Sequence, residues 1–471
     1  MERIRTVLTV AEETPERAWG RIADAPPEID AFELRVDALL RNDFDLAMFR
    51  RATAKKLIFT RRSLEGRSGE FDGAEIQNAI DKGFDFVDIE YSAKLDSSRL
   101  SSFRDRVILS YHDFDATPHL PALLESMLAF GCAKVKIAVT PGTFQENEAI
   151  LSAVESNSSP NLTLFGMGST GLYSRILAPC FGSEMSFFAA AEESIAAPGQ
   201  LTIARAKAIL GAGITILKKP EAIFAIVGNP AAGSLSPAIY NARFRQQSLS
   251  ALYTILEVSD FAQVAEALGS GRRFAPRGIS ITAPFKEEAY RFAETECELL
   301  PRARDSRAVN TIARVNGKLL ADNTDVAGFE KALEGSKPAD AILLGAGGTA
   351  RAAAVALRAH GIPTRIVNRT RSRAEFLAKE FGFDVIPLES IPAASADLFI
   401  NTLTAEVTEL IPRPPISANT RVVDLSYTKG RSAIAERARE AGASVFDGLA
   451  FLQAQAAPQS ELFIRAIEES R

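Results

Sequence analysis

The sequence predicts an α/β architecture: a (β/α)8 barrel of the TIM type, followed by a two-lobed unit whose second lobe is a Rossmann nucleotide-binding domain. Three observations lead there. The 471 residues exceed what one ordinary core accommodates, and a prior of about 150 residues per domain allows about three folding units. From the start to residue 215, short β-type runs alternate with helical patterns, the rhythm of βα units. Further on, "AILLGAGGTARAAAVAL" puts an apolar run, a glycine-rich turn and a small-residue helix in succession.

The runs of the first half are "RTVLTVA", "DAFELRVDAL", "KKLIFTRR", "FDFVDIEY", "RVILSYHDF", "AKVKIAVT", "LTLFGMGS" and "EMSFFAAAE". Eight parallel strands, each followed by a helix, close most simply into a barrel. The pattern ends with the helix "LTIARAKAILGAG", and a fresh β-run, "IFAIVGNP", follows "ILKKPEA". The barrel is therefore assigned to residues 1–218, with the next domain starting at 222 after a short connector.

Composition narrows the function. Apolar residues make up 46% and charged residues 24%, and 54 Lys and Arg against 59 Asp and Glu leave a net charge of -5, which argues against disorder. No basic cluster offers the positive field that a nucleic-acid partner needs. The N-terminal residues resemble neither a signal peptide nor a membrane span, so a cytoplasmic protein without a membrane partner is expected. Cys132, Cys180 and Cys297 lack the paired spacing of a zinc site, and three histidines disfavour a His-rich metal centre, so no metal is expected.

Polar residues recur near the C-terminal ends of the β-runs: Glu33 and Arg35, Arg62, Glu90, His112 and Lys136. In a barrel these ends form the face that carries chemistry. Singly, Lys136 fits a strand-end lysine reaching solvent and His112 a bonded core histidine; their convergence on one mouth is the signal. A lysine desolvated there supplies free amine to attack a ketone, and the resulting iminium acidifies the neighbouring C–H bond. His112 then serves as general base and returns the proton to a departing hydroxyl, with Glu90 fixing its orientation. Arg35, Arg62 and Arg175 offer planar donor forks for a carboxylate and hydroxyls. The chemistry is Schiff-base-assisted elimination of water.

The motifs "FELRVD", "SYHDFDATP", "VKIAV", "TGLYSR" and "APGQ", in this order, resemble those of type I 3-dehydroquinate dehydratases over the whole first half. The resemblance implies that Lys136 forms the Schiff base, His112 is the acid/base and Glu90 its partner. Glu33, Arg35, Arg175 and Gln200 would line the substrate pocket. Two departures stand out. Ala196 replaces the serine that precedes "APGQ" in the family, and "FTRRSLEGRSG" leaves Arg61 or Arg62 as the substrate arginine, with Arg62 preferred for its Thr-x-Arg spacing.

In the second half, Gly345, Gly347 and Gly348 allow a pyrophosphate to approach a helix N-terminus, and Ala350 permits close helix packing. Arg369 ends "RIVNR" where NAD-specific folds usually carry an acidic residue, which suits the 2′-phosphate of NADP. Lys286 and Asp325 form a pair able to move a hydroxyl proton while hydride moves. Ser234 and Ser236, read alone, fit a turn and helix cap as well as a binding site.

"NPAAGSLSP", "SITAPFKEE", "AVNTI", "DNTDVAG" and "DGLAFLQAQAA" resemble the segments of shikimate dehydrogenases. The resemblance implies that Lys286 and Asp325 are catalytic, and that Ser234, Ser236, Thr282, Asn310, Tyr427 and Gln455 surround the substrate. It implies cofactor contacts from Gly345, Ala346, Gly347, Gly348, Ala350, Asn368, Arg369, Thr370 and Gly448. It also divides the second half into a substrate-binding domain, 222–325 with returning helices at 448–471, and a Rossmann domain at 326–447. The segments "INTLTAEV" and Asp447-Gly448-Leu449-Ala450 depart from the family on the nicotinamide side.

Together the two resemblances imply consecutive reactions with 3-dehydroquinate, 3-dehydroshikimate and shikimate as substrates, NADP as cofactor, and a monomer or homodimer. Two alternatives stay open: the same folds with a quinate- or NAD-dependent dehydrogenase, or a non-catalytic quinate or shikimate sensor. Loss of Lys136, His112, Lys286 or Asp325 would mark a sensor, and all four are present.

Overall fold

A computed structural model describes residues 5–468 apart from 41–43, 63–72, 93–94, 96, 158, 212–213, 215–217, 404–410 and 427–431. The chain divides into two compact units, one of Met1–Ile223 with Pro237–Ser259 and one of Phe224–Ser236 with Asp260–Arg471.

The first unit holds β1 (Thr6–Val10), β2 (Ala31–Arg35), β3 (Lys56–Thr60), β4 (Phe86–Glu90), β5 (Val107–Asp113), β6 (Lys134–Val139), β7 (Leu162–Gly166) and β8 (Ser186–Ala189), the eight expected runs in order. Their neighbours are parallel, in the order β7-β6-β5-β4-β3-β2-β1-β8, and β9 (Leu201–Thr202) extends the sheet beyond β8. The helices are α1 (Pro15–Ala23), α2 (Ala47–Ala52), α3 (Gly73–Asp81), α4 (Leu120–Leu128), α5 (Phe144–Ser156), α6 (Leu172–Phe181) and α7 (Ile203–Leu210). Local sequence sets their starts. Thr14 caps α1 ahead of Pro15, Thr143 and Glu146 form a capping box on α5, and Thr202 caps α7.

The parallel ladder differs from a fully closed barrel at one seam. Among the described residues, β7 and β8 are not ladder neighbours. Their approaches are joined instead by the Glu184 amide donating to the Leu162 carbonyl (2.8 Å), the Leu164 amide to Ser183 Oγ (3.0 Å) and the Met185 amide to Thr163 Oγ1 (3.1 Å). Side-chain hydroxyls thus satisfy buried amides that a ladder would otherwise pair. This unit also contains β11 (Ala251–Glu257), which packs on α6.

The strand β10 (Ala222–Gly228) leads into α8 (Ser236–Gln246). The second unit continues with α9 (Ala262–Ser270), β12 (Gly278–Ile281), α10 (Lys286–Glu296), β13 (Glu298–Leu299), α11 (Pro301–Ser306), β14 (Thr311–Val315), β15 (Lys318–Asp322) and α12 (Asp325–Leu333). Here β10, β12, β14, β15 and β13 are neighbours in that order, β10 parallel to β12 and β14 antiparallel to both β12 and β15. The two-residue β14–β15 turn is Asn316-Gly317, both at positive φ, the pairing a tight hairpin favours.

Then come β16 (Ala341–Leu344), α13 (Gly348–Ala359), β17 (Thr364–Val367), α14 (Arg371–Phe381), β18 (Asp384–Val385), β19 (Leu398–Asn401), β20 (Arg421–Asp424), α15 (Ala433–Glu440), β21 (Ser444–Asp447) and α16 (Gly448–Glu468). Their parallel sheet runs β18-β17-β16-β19-β20-β21, the 3-2-1-4-5-6 order of a Rossmann fold. Alternation gives it two cores. Leu343, Ile366, Ile400 and Val423 face Ala350, Ala353, Ala354 and Leu357 of α13, while Ile342, Leu344, Phe399 and Val422 face Ile434 and Ala438 of α15. The small α13 side chains let that helix lie close to the sheet.

Candidate active sites

Period-2 alternation puts residues 88 and 90 of β4, 110 and 112 of β5, and 134 and 136 of β6 on one face. Glu90 is in register with Ser110, and Ser110 with Lys136, so these three lie at one level and His112 one step nearer the mouth. Lys136 is buried, its Nζ 3.0 Å from Glu33 Oε1, 3.4 Å from Asp88 Oδ2 and 4.1 Å from the centre of the Phe187 ring. The expected desolvation is thus combined with two carboxylates.

Burial raises the Glu33 carboxyl, as does Asp88, yet Lys136, Arg35 and Arg62 bring it net below its ordinary value. Asp88 is held well below the carboxylate range: burial opposes this, and Arg62, Lys136, His112 and the Ser110 hydroxyl overcome it.

Glu90 organises the other half of the cluster. It accepts from the His112 backbone amide at 2.8 Å, faces His112 Nδ1 at 2.9 Å, and accepts from Arg62 Nη1 at 2.6 Å. This frees the other ring nitrogen for proton transfer. Arg62 also meets Asp88 at 2.7 Å, whereas Arg61 reaches outward to Glu75 at 2.6 Å. Burial lowers the His112 pKa and so do Arg62 and Lys136, with Glu90 only partly offsetting them. The imidazole is therefore neutral at pH 7.

Gln200 is tied in from β9's approach: its Nε2 donates to Thr9 Oγ1 at 3.0 Å, and Thr9 donates to Glu33 at 2.9 Å. Its Oε1 accepts from the Ala196 amide at 2.9 Å. Two arginines stand apart. Arg35 pairs with Asp37 at 2.7 Å, and Arg175 donates to the Gly166 carbonyl at 3.0 Å and lies over Phe165. Among the described residues Arg175 has no carboxylate partner, and burial pulls it down to about 9, leaving a cation suited to an anion.

The second site lies in the other unit. Lys286 opens α10 and Asp325 opens α12; their side chains form an ion pair, and Lys286 Nζ also donates to Thr349 Oγ1 at 2.8 Å. Asn310 Nδ2 donates to Asp325 Oδ1 at 2.9 Å and Thr324 Oγ1 at 3.0 Å, and Thr324 donates to Gln455 Oε1 at 2.9 Å. Asn310, Thr324, Asp325 and Gln455 are buried, whereas Lys286 and Thr349 are half-buried. Ser234 accepts from the Ser236 amide at 3.2 Å, and Thr282 follows β12 against Gly228, where any Cβ would lie 2.2 Å from Thr282 Cγ2. Tyr427 lies outside the described residues.

The nucleotide turn follows β16 at the point where the strand order reverses. Gly345 has φ +111°, and a Cβ there would lie 2.3 Å from Thr402 Oγ1. Ala346 is buried beside it, Gly347 precedes α13 with open space around its Cα, and Ala350 is buried in that helix. A Cβ on Gly348 would strike Lys286 Cβ at 2.6 Å, and one on Gly448 would lie 2.5 Å from the Leu425 carbonyl oxygen. Asn368 donates to the Thr370 carbonyl, shaping the turn that exposes Arg369 and Thr370. Among the described residues no carboxylate pairs with Arg369. The exposed cation and the bare helix N-terminus fit a dinucleotide with an added phosphate. Gly345→Ala is expected to raise KM for NADPH about fivefold or more with little change in KM for shikimate, because the strain falls on the nucleotide turn. Steady-state kinetics with each ligand varied will check this.

Asp88, Thr9, Ser110, Thr324 and Thr349 were not singled out from sequence. Asp88 carried a signal: a charged residue two before Glu90 in an otherwise apolar buried strand. Among the described residues no group of three or more His, Cys, Asp or Glu side chains is arranged to hold a metal, and no helix is long and apolar enough to cross a membrane. The thiols of Cys132, Cys180 and Cys297 are raised by burial to about 11, 12 and 12, which keeps them protonated.

The folds and the two sites define an α/β protein with a lysine-centred barrel mouth and a dinucleotide-binding oxidoreductase site. A type I 3-dehydroquinase model matches residues 6–213, a shikimate dehydrogenase substrate binding domain matches 226–312, and a shikimate / quinate 5-dehydrogenase model matches 329–423. The chain is 37% identical over 243 residues to a shikimate dehydrogenase (NADP(+)) of Hyphomonas neptunium, covering 50% of this chain and 88% of that protein. It is 28% identical over 481 residues to the chloroplastic bifunctional 3-dehydroquinate dehydratase/shikimate dehydrogenase of Arabidopsis thaliana, covering 92% and 77%. A shikimate biosynthesis protein AroDE of Chlamydia pneumoniae is 28% identical over 443 residues, covering 92% and 90%. A solved shikimate 5-dehydrogenase of Thermus thermophilus is 32% identical, covering 53% of this chain and 100% of that chain, with a TM-score of 0.44. The chain belongs to the shikimate dehydrogenase family, with a type I 3-dehydroquinase module preceding it.

Proposed function

We propose that this chain dehydrates 3-dehydroquinate to 3-dehydroshikimate in its barrel and reduces that product to shikimate with NADPH in its second half. The observation that carries this reading is the buried Lys136 beside Glu33 and Asp88, with the Arg62-held Glu90–His112 pair on the adjoining strands.

Lys136, once deprotonated, attacks the substrate ketone; the C–N bond forms and the carbonyl oxygen leaves as water. Neutral His112 takes the proton from the adjacent carbon, the electron pair moves toward the iminium nitrogen, and the hydroxyl departs with the proton that His112 returns. Water then hydrolyses the C=N bond and releases Lys136. Arg175 and Gln200 hold the carboxylate and hydroxyls.

In the second site Ser234, Ser236, Thr282, Asn310, Tyr427 and Gln455 hold 3-dehydroshikimate. The 345–348 turn and Arg369 would hold NADPH, which when bound would supply the hydride. Lys286 donates the proton that the new alkoxide needs, and Asp325 orients it. The domains are 1–218, 222–325 with 448–471, and 326–447. The partners are small molecules, with no nucleic acid or membrane involved; the protein is cytoplasmic, as a monomer or homodimer.

The test is incubation with 3-dehydroquinate and borohydride, followed by peptide mass spectrometry, and separately NADPH oxidation by 3-dehydroshikimate. A reduced adduct on Lys136 and NADPH turnover support the two halves; absence of either overturns the corresponding half.

A pH profile examines the acid/base assignment. With the His112 pKa held below its ordinary value of 6.5, dehydratase kcat/KM stays on its plateau as pH falls to about 6.5 and drops only below it. Glu90→Gln removes a group that raises that pKa, so the acid limb moves to still lower pH while the rate falls. A limb shifted upward would contradict the pairing.

A further inference from the structure

The β7–α6 loop of the barrel is held from outside the barrel. Ser169 Oγ donates to Glu257 Oε1 at 2.5 Å, and Glu257 ends β11, in the span matched by the shikimate dehydrogenase substrate-binding model. We propose that Glu257 is a positioning residue for the dehydratase, fixing through Ser169 the mouth loop that sets Gln200 and Arg175. This rests on the dehydratase reading above.

Three contacts carry the coupling. Beside Ser169, the Gly168 amide donates to the Pro198 carbonyl at 3.1 Å, and the backbones pass so closely that a Cβ on Gly199 would lie 2.3 Å from the Gly168 carbonyl oxygen. Gln200 follows directly and reaches Thr9 and thence Glu33. On the other side Thr170 Oγ1 donates to the Pro141 carbonyl at 2.6 Å, tying the loop to the β6–α5 connection, and Gly171 begins the helix that carries Arg175. With β11 packed along α6, the strand braces both the helix and its leading loop. Glu90 and His112 bond to one another on β4 and β5, and Lys136 on β6 meets the loop only at one remove, through Glu33 and Thr9. Loosening it therefore acts on substrate capture rather than on proton transfer.

The experiment uses the full chain and the variants Glu257→Ala, Glu257→Gln, Ser169→Ala and Glu257→Ala/Ser169→Ala, with both activities measured. We expect KM for 3-dehydroquinate to rise about three- to tenfold in each alanine variant with kcat within about twofold, and no further rise in the double variant, since both substitutions break one contact. Glu257→Gln keeps an oxygen to accept from Ser169 and should recover most of the KM. Dehydrogenase kinetics should be unchanged. A wild-type KM in Ser169→Ala, or additive effects in the double variant, would overturn the proposal. Should Glu257→Ala not fold, Ser169→Ala and Glu257→Gln decide it. Wild-type protein that fails to turn over 3-dehydroquinate in the same assay overturns the dehydratase reading itself, a result separable from a change in KM.

Discussion

Lys136→Ala is expected to lower dehydratase kcat by about 10⁴-fold or more, because it removes the nucleophile rather than a supporting contact. It should also destabilise the barrel. Glu33 and Asp88 are both buried against Nζ, and removing one partner of a buried ion cluster costs about 3–5 kcal/mol. Lys136→Arg separates the two effects: it retains the charge while losing the amine that forms an iminium, so Tm should recover partly and activity should not. Borohydride should trap substrate on neither variant. Wild-type Tm in Lys136→Ala, or a trapped adduct in Lys136→Arg, would contradict the assigned role. The sign with pH follows from the depressed carboxyls. Glu33 and Asp88 have folded values below their unfolded ones, so their contribution to stability is present above the unfolded carboxylate range and is lost as pH falls through the folded values. Lys136→Ala should weaken that dependence.

The complementary result concerns the second site. Lys286→Ala and Asp325→Asn are each expected to reduce shikimate dehydrogenase kcat by about 10²–10⁴-fold while dehydratase turnover is retained. Asp325→Asn is the more informative, since it preserves shape. Asn310 donates to Oδ1, which orients the new amide oxygen toward Asn310 and turns its NH₂ toward the Lys286 ammonium. The lysine then keeps Thr349 but loses its anionic partner. Stopped-flow absorbance of NADPH with saturating 3-dehydroshikimate reads the chemical step directly, and a variant at wild-type rate would remove the pair from the mechanism.

The eight β-runs were legible because parallel barrel strands are short apolar stretches bounded by polar ends, and those ends carry the groups that converge. Glu90, His112 and Lys136 could be read for that reason. Asp88 could not be separated from them: it lies inside "VDIE", and its role comes from meeting Arg62 and Lys136, partners 26 and 48 positions away. Arg61 and Arg62 diverge, Arg62 inward to Asp88 and Glu90 and Arg61 outward to Glu75, a difference in direction that the Thr-x-Arg spacing does not itself contain. Thr349 was hidden differently. It belongs to the nucleotide turn by sequence but serves Lys286, a contact made only when α10 and α13 start beside one another. The β7–β8 seam left no trace, since serine and threonine hydroxyls replacing ladder bonds look like ordinary polar residues.

That seam sets how the barrel opens to solvent. Strands paired on both sides exchange their amide hydrogens only through cooperative opening, whereas Leu164 and Met185 are protected across the seam by single hydroxyl acceptors on Ser183 and Thr163. Deuterium should therefore enter this flank of the barrel before it reaches β3–β5. Glu90 and His112, on β4 and β5, then sit in the slowest-exchanging wall, while Arg175, on the helix that follows β7, rides on the flank that unzips first.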